Sequence, residues 1–229
     1  MTGARPIGLV IFDCDGVLVD SEPISLAVTR EVLSERGCRL TEKEGYAHLL
    51  GRSLGTIAAW LRDERQVELT EQDLFSMRER LLARFGTELA PIPHVADTVS
   101  ALPWPVCVAS SSQPERIARS LEVTGLLPLF APHLFSATMV PRGKPAPDLF
   151  LHAARKMGVP PEDCVVIEDS PAGIKAARAA GMRVVGFLGG AHAGPAGLRE
   201  AVANLGPMAM IADMEELPAL LRRASAGTG

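Results

Sequence analysis

Ile7-Gly8-Leu9-Val10-Ile11-Phe12-Asp13-Cys14-Asp15-Gly16-Val17-Leu18-Val19-Asp20-Ser21-Glu22 sets a short apolar run directly before two acids spaced i and i+2. An unbroken apolar run is what a strand buried on both faces of a parallel sheet requires, and such sheets carry their chemistry at the strands' carboxyl ends. Asp13 and Asp15 stand just past that end. Two carboxylates this close are stable only beside a cation, with a shared proton or in open water. Taken alone, the fragment also reads as a solvated turn, since Asp and Gly are common turn residues.

Working outward, short β-branched runs alternate with helical patterns from about residue 93 onward, the sequence form of a doubly wound α/β sheet. The strands read as Val106 to Ala109, Val165 to Ile167, Val184 to Leu188 and Met208 to Ala212, joining Leu9 to Phe12. Pro93, Pro114, Pro147 and Pro171 open helices, and Gly158 and Gly181 follow the ends of the last two, the usual asymmetry of helix termini. Residues 20–90 differ, holding four helical segments and no convincing strand. Ser21 and Pro23 start the first, with Ile24, Val28 and Val32 on one stripe. Thr41 with Glu44 forms a capping box for the second, Leu54 to Arg65 makes the third, and the fourth carries Leu74, Leu81 and Phe85 before Gly86. The expected organisation is a Rossmann-like core of residues 1–19 and 91–229, with a small all-α domain, 20–90, inserted after the first strand. Its connections near Val17 to Asp20 and Ala90 to Pro93 are natural hinges. The tail from Ser225 to Gly229 reads as disordered.

Composition narrows the function classes. Of 229 residues, 47% are apolar, ample for a core, and the formal charge of −4 supplies no basic field of the kind nucleic-acid binding uses. No apolar run is long enough to span a membrane and no signal-peptide pattern precedes the first strand, so a soluble, cytoplasmic protein is expected. Cys14, Cys38, Cys107 and Cys164 show no metal-ligand spacing and read as small buried apolar residues in a reducing compartment.

Three further clusters fall at expected strand ends. Ser110-Ser111-Ser112 offers hydroxyls and backbone N–H groups at the start of a helix, a ready anion site, although a plain polar loop has the same composition. In Arg142-Gly143-Lys144-Pro145-Ala146-Pro147-Asp148, one of only four lysines is presented by a proline-stiffened backbone. At the mouth of an acidic cleft, Lys144 would offset carboxylate repulsion and bind a phosphate oxygen. Glu168-Asp169-Ser170 repeats the opening feature, a buried strand ending in acids. Helix capping by Asp169 or Ser170 explains one such site, but four acids on neighbouring strand ends exceed what capping requires. A hard cation such as Mg²⁺, held by one or two carboxylates with water and substrate phosphate, resolves the crowding.

Asp13-x-Asp15, Ser110, Lys144 and Glu168-Asp169, in that order, resemble the motifs of the haloacid-dehalogenase-like hydrolase superfamily, and the helical insert resembles its first cap type. The likeness spans essentially the whole chain. It is closest for residues 13–22 and 144–148 to the group holding sugar-phosphate phosphatases, phosphoglycolate phosphatases and β-phosphoglucomutases. The resemblance implies Asp13 as a nucleophile forming an aspartyl-phosphate and Asp15 as general acid and base. It implies Ser110, Ser111 and Lys144 as phosphate ligands, and a Mg²⁺ site from Asp13, Asp169, the Asp15 carbonyl and Glu168, directly or through water. The substrate would be a small phosphorylated metabolite: a sugar phosphate, a sugar-acid phosphate or phosphoglycolate. Arg52, between two cap helices, falls where related proteins contact the leaving group; His48 and Glu22 are weaker candidates.

Competing functions carry residue signatures of their own. Mutases of the β-phosphoglucose type carry a histidine and an arginine where this chain has Ser25 and Leu54, which favours hydrolysis. A phosphonate hydrolase needs a cap lysine, and the cap holds only Lys43, near a helix start. Dehalogenases of this fold lack the acid at Asp15. A non-catalytic sugar-phosphate sensor is the alternative from another class. A monomer or weak homo-oligomer is expected; the leaving group is not legible.

Overall fold

Alternation along the strands sorts the core into two layers. The computed structural model describes residues 5–49 and 54–226, and the side chains of all of these except 54–56. After β1 (Leu9–Phe12) come α1 (Glu22–Glu35), α2 (Glu42–His48), α3 (Leu54–Arg65) and α4 (Glu71–Glu88). The chain continues through α5 (Val95–Ser100), β2 (Val106–Ser110), α6 (Pro114–Val123), α7 (Leu127–Phe130) and β3 (Leu134–Ser136). It then forms α8 (Asp148–Met157), β4 (Cys164–Glu168), α9 (Pro171–Ala179), β5 (Arg183–Phe187), α10 (Leu198–Ala203), β6 (Ala209–Ile211) and α11 (Glu216–Ala226).

The strands form one six-stranded parallel sheet in the order β3-β2-β1-β4-β5-β6. Val10 and Phe12 of β1, with Val108, Val165, Ile167, Val185 and Phe187, pack against α5, α6 and α11. Leu9 and Ile11, with Cys107, Ala109, Val166 and Val184, pack on the other face against α8, α9 and α10. Because both faces are covered, every residue of β1 is buried, which is why it reads as an unbroken apolar run. The chain leaves β1 toward β2 and β3 and returns on the far side at β4, so β1 lies at the topological switch point where such folds open a crevice.

The helical segment between β1 and β2 has a core of its own, including Leu26, Leu33, Leu40, Tyr46 and Leu61. Thr41 and Glu44 complete the expected capping box, and Thr70 with Asp73 forms a second one at α4. The two connections to the sheet run side by side, Asp20 N–H donating to Ala90 O at 3.0 Å and Ile92 N–H to Leu18 O at 2.9 Å. They are thus a paired ladder rather than two independent strings.

Several details depart from the sequence reading. β3 was not expected: three residues at a sheet edge are too few to give a periodic signal. α4 runs through Gly86 to Glu88, and Leu74 on it is exposed, while Phe85 is buried. α11 extends to Ala226, so Ser225 is helical rather than disordered. All four cysteines are free and buried. No helix among the described residues is long and apolar enough to cross a membrane.

Candidate active site

The carboxyl ends of β1 and β4 bring three acids together. Asp13 follows β1, its N–H donating to Ile167 O at 3.0 Å, and Glu168 and Asp169 end and follow β4. Carboxylate oxygens of Asp13, Glu168 and Asp169 all lie within 4.8 Å of one another, in a buried setting. Lys144 enters from the loop before α8, Nζ donating to Asp13 Oδ1 at 2.7 Å and to Glu168 Oε1 at 2.6 Å. Burial would drive this ammonium toward neutrality, but Asp13 and Glu168 outweigh it and hold it protonated. One lysine does not balance three acids. Burial pushes Asp13 and Asp169 well above the usual carboxylate range, and Glu168 pushes both further against the opposing pull of Lys144. Three hard oxygen donors with excess negative charge fit a Mg²⁺-like cation.

Small residues make room for this crowding. Ser170 caps α9, its hydroxyl accepting from Gly173 N–H at 3.0 Å, so Asp169 is released from capping and faces the centre. The same Ser170 donates from N–H and Oγ to Glu168 Oε2, at 2.8 and 2.9 Å. Gly16 has φ +79°, a conformation glycine adopts without strain, and a Cβ there would meet Asp169 Oδ2 at 2.2 Å. On its other side Asp169 Oδ2 lies 2.8 Å from Nε2 of buried His192, in the loop after β5.

Asp15 is held apart from that cluster. Its Oδ1 accepts from Ser21 Oγ at 2.6 Å and from an Arg116 guanidinium nitrogen at 2.8 Å, and its Oδ2 accepts from Ser112 Oγ at 2.6 Å. Burial raises its carboxyl, but Arg116 and the two hydroxyls outweigh burial and hold it below the usual range. Ser21 occupies the N-cap position of α1 yet makes no cap bond, because its hydroxyl is committed to Asp15. Arg116 bridges the layers: from α6 it also donates to Ser25 Oγ of α1 at 3.2 Å and lies over the Phe85 ring of α4, 5.4 Å from its centroid.

The remaining expected residues separate. Ser110 is buried at the end of β2, its Oγ accepting from Ser112 N–H at 3.1 Å, whereas Ser111 is exposed. Glu22 is half-buried, and burial with the Asp15 charge pushes its carboxyl up to about 7. His48 is not in the centre; it stacks on Trp60, centroids 4.3 Å apart. Arg52 lies outside the described residues. Ser21 was read only as a helix start and Ser112 only as part of a serine anion site, and Arg116 and His192 were not singled out in the sequence. His192 had a legible signal, since it follows a strand's carboxyl end as the motifs do; Arg116 is a helix residue whose role only the packing of α6 against α1 and α4 reveals.

Acids and a lysine converge at the switch point of a doubly wound α/β core, the place where such folds bind their ligands. The family model of the haloacid dehalogenase-like hydrolases matches residues 7–181, and the chain belongs to that family. It is therefore an enzyme of a hydrolase family, and phosphatases are among its relatives. The 6-phosphogluconate phosphatase of Escherichia coli (strain K12) is 34% identical over 190 residues, 82% of this chain and 86% of the relative. The fructose-1-phosphate phosphatase YqaB of the same organism is 37% identical over 191 residues, 77% of this chain and 94% of that one. Among solved structures, a family hydrolase from Deinococcus radiodurans R1 with bound phosphate and sodium superimposes with a TM-score of 0.80 at 35% identity, covering 98% of this chain and 99% of that one.

Proposed function

We propose that the protein is a Mg²⁺-dependent phosphomonoesterase acting on a small phosphorylated metabolite of the sugar-phosphate class. The observation that carries this is the contrast between two acids only two residues apart. Asp13 lies in the acid–lysine cluster, whereas Asp15 is held by Ser21, Ser112 and Arg116.

In this reading the Asp13 carboxylate attacks phosphorus, the ester P–O bond breaks and an aspartyl-phosphate forms. Asp15 gives a proton to the leaving alkoxide, then takes one from the water that attacks phosphorus and releases Asp13. Lys144, Ser110 and Ser111, with backbone N–H groups of the loop after β2, receive the non-bridging oxygens. Asp13, Asp169, the Asp15 carbonyl and Glu168, directly or through water, would hold Mg²⁺, which when bound neutralises charge on the phosphoryl oxygens. The helical segment 20–90 is the cap domain over residues 1–19 and 91–229. It shields the centre from bulk water, and its loop residue Arg52 is the candidate for reading an anionic leaving group.

Hydrolysis is favoured over the mutase reaction by Ser25, which stands where mutases of this group carry histidine and here receives Arg116. The printed substrates of the relatives, a phosphorylated sugar acid and a sugar phosphate, support the class and leave the leaving group open. Phosphate release over phosphorylated sugars, sugar acids and glycolate, with Mg²⁺ or with EDTA, tests the proposal. Mg²⁺-dependent release that Asp13→Asn abolishes is expected. Undiminished release by Asp13→Asn, or an isomerised sugar phosphate without free phosphate, contradicts it.

A further inference from the structure

His192 lies outside every expected motif, yet it is 1% exposed and its Nε2 sits 2.8 Å from Asp169 Oδ2. With a cation at the site Asp169 is an ionised carboxylate, which only accepts hydrogen bonds, and the ring then donates through Nε2–H. Nδ1 is then a lone pair, and it is buried without a hydrogen-bond partner. An imidazole with one orphaned nitrogen is a poor choice for filling apolar space. The surroundings are nevertheless shaped for it. A Cβ at Gly16 would lie 2.7 Å from Cε1 of the ring, and a Cβ at Gly190 would lie 2.6 Å from the same atom. Gly16 of the loop after β1 and Gly190 of the loop after β5 thus leave the ring the room it needs to reach the acid that follows β4.

We infer that His192 is a positioning residue for the metal site: its Nε2–H fixes Oδ2 of Asp169 and so turns the other carboxylate oxygen, Oδ1, toward the cation. This rests on the reading of Asp169 as a Mg²⁺ ligand. Outer-shell hydrogen bonds of this type orient ligands, and their loss lowers metal affinity about 10- to 100-fold. The assignment also explains why a β-carbon is excluded on both sides of the ring: either one would displace it.

The test is the Mg²⁺ dissociation constant of the full-length protein, measured by calorimetry without substrate. Wild type is compared with His192→Gln, whose amide N–H restores a donor, and His192→Met, which fills similar length with none. Weakening of about 10-fold or more in His192→Met, with most of the affinity retained in His192→Gln, is the expected result. Equal affinity in all three proteins, or equal weakening in both variants, overturns the role of His192 while leaving the metal site standing. Absence of Mg²⁺ binding by wild type overturns both. Should a variant fail to fold, ring ¹⁵N spectra of Mg²⁺-loaded wild type decide: the Nε2–H tautomer supports the assignment and the Nδ1–H tautomer overturns it.

Discussion

A β-carbon on Gly173 would lie 1.6 Å from Oε1 and 1.9 Å from Cδ of Glu168, so this carboxylate occupies space that only glycine leaves open. Gly173→Ala must therefore expel Glu168 from its contacts with Lys144 and Ser170. A loss of about 3 kcal/mol of stability is expected, from overpacking and a broken buried ion pair, and urea unfolding measures it. Glu22 gives a pH dependence whose sign follows from its raised carboxyl, pushed up to about 7 from an ordinary 4.5. Between these values the folded protein binds more protons than the unfolded chain, so stability falls as pH rises through that window and is level above it. The span corresponds to roughly 3 kcal/mol, and Glu22→Gln removes it. In EDTA, the variant should match wild type at pH 4 and exceed it at pH 8; equal stability at both values would refute this account of Glu22.

At the scale of elements, α6 and α1 meet through Arg116, which ties Asp15 of the first loop to Ser25 and covers Phe85 of α4. This guanidinium favours the carboxylate form of Asp15, the form the second half-reaction of the proposed mechanism would use, and opposes the protonated form the first would require. Removing it in Arg116→Met should raise the Asp15 carboxyl and shift the acidic limb of the pH–kcat profile to higher pH; an unmoved limb would show that Arg116 does not tune Asp15. The elements themselves were legible where burial on two faces left unbroken apolar runs, as in Leu9 to Phe12, and where capping chemistry marked a start, as at Thr41 and Glu44. β3 escaped because a three-residue edge strand carries no periodicity. Asp13, Asp15, Lys144, Glu168 and Asp169 stood out because acids or a lone lysine beside buried strand ends have no packing explanation. The hold of Ser21, Ser112 and Arg116 on Asp15, and of His192 on Asp169, was not legible, since serines at helix starts and arginines on helices are ordinary until tertiary contacts commit them elsewhere.

For the whole molecule, the order β3-β2-β1-β4-β5-β6 places Asp13 at the switch point, and the paired connections 17–20 and 90–93 hang the helical segment directly beside it. In the proposed function sheet and insert would divide the labour, with phosphate chemistry at the strand ends and selection of the leaving group assigned to residues 20–90. In the proposed mechanism Asp13 carries the phosphoryl group. Acid quenching during turnover of a sugar phosphate with Mg²⁺, followed by peptide mass mapping, tests it most directly. Added mass of one phosphoryl group on Asp13, absent from Asp13→Asn, is the expected result; turnover with that group on another residue, or with none on the protein at any quench time, would contradict the account.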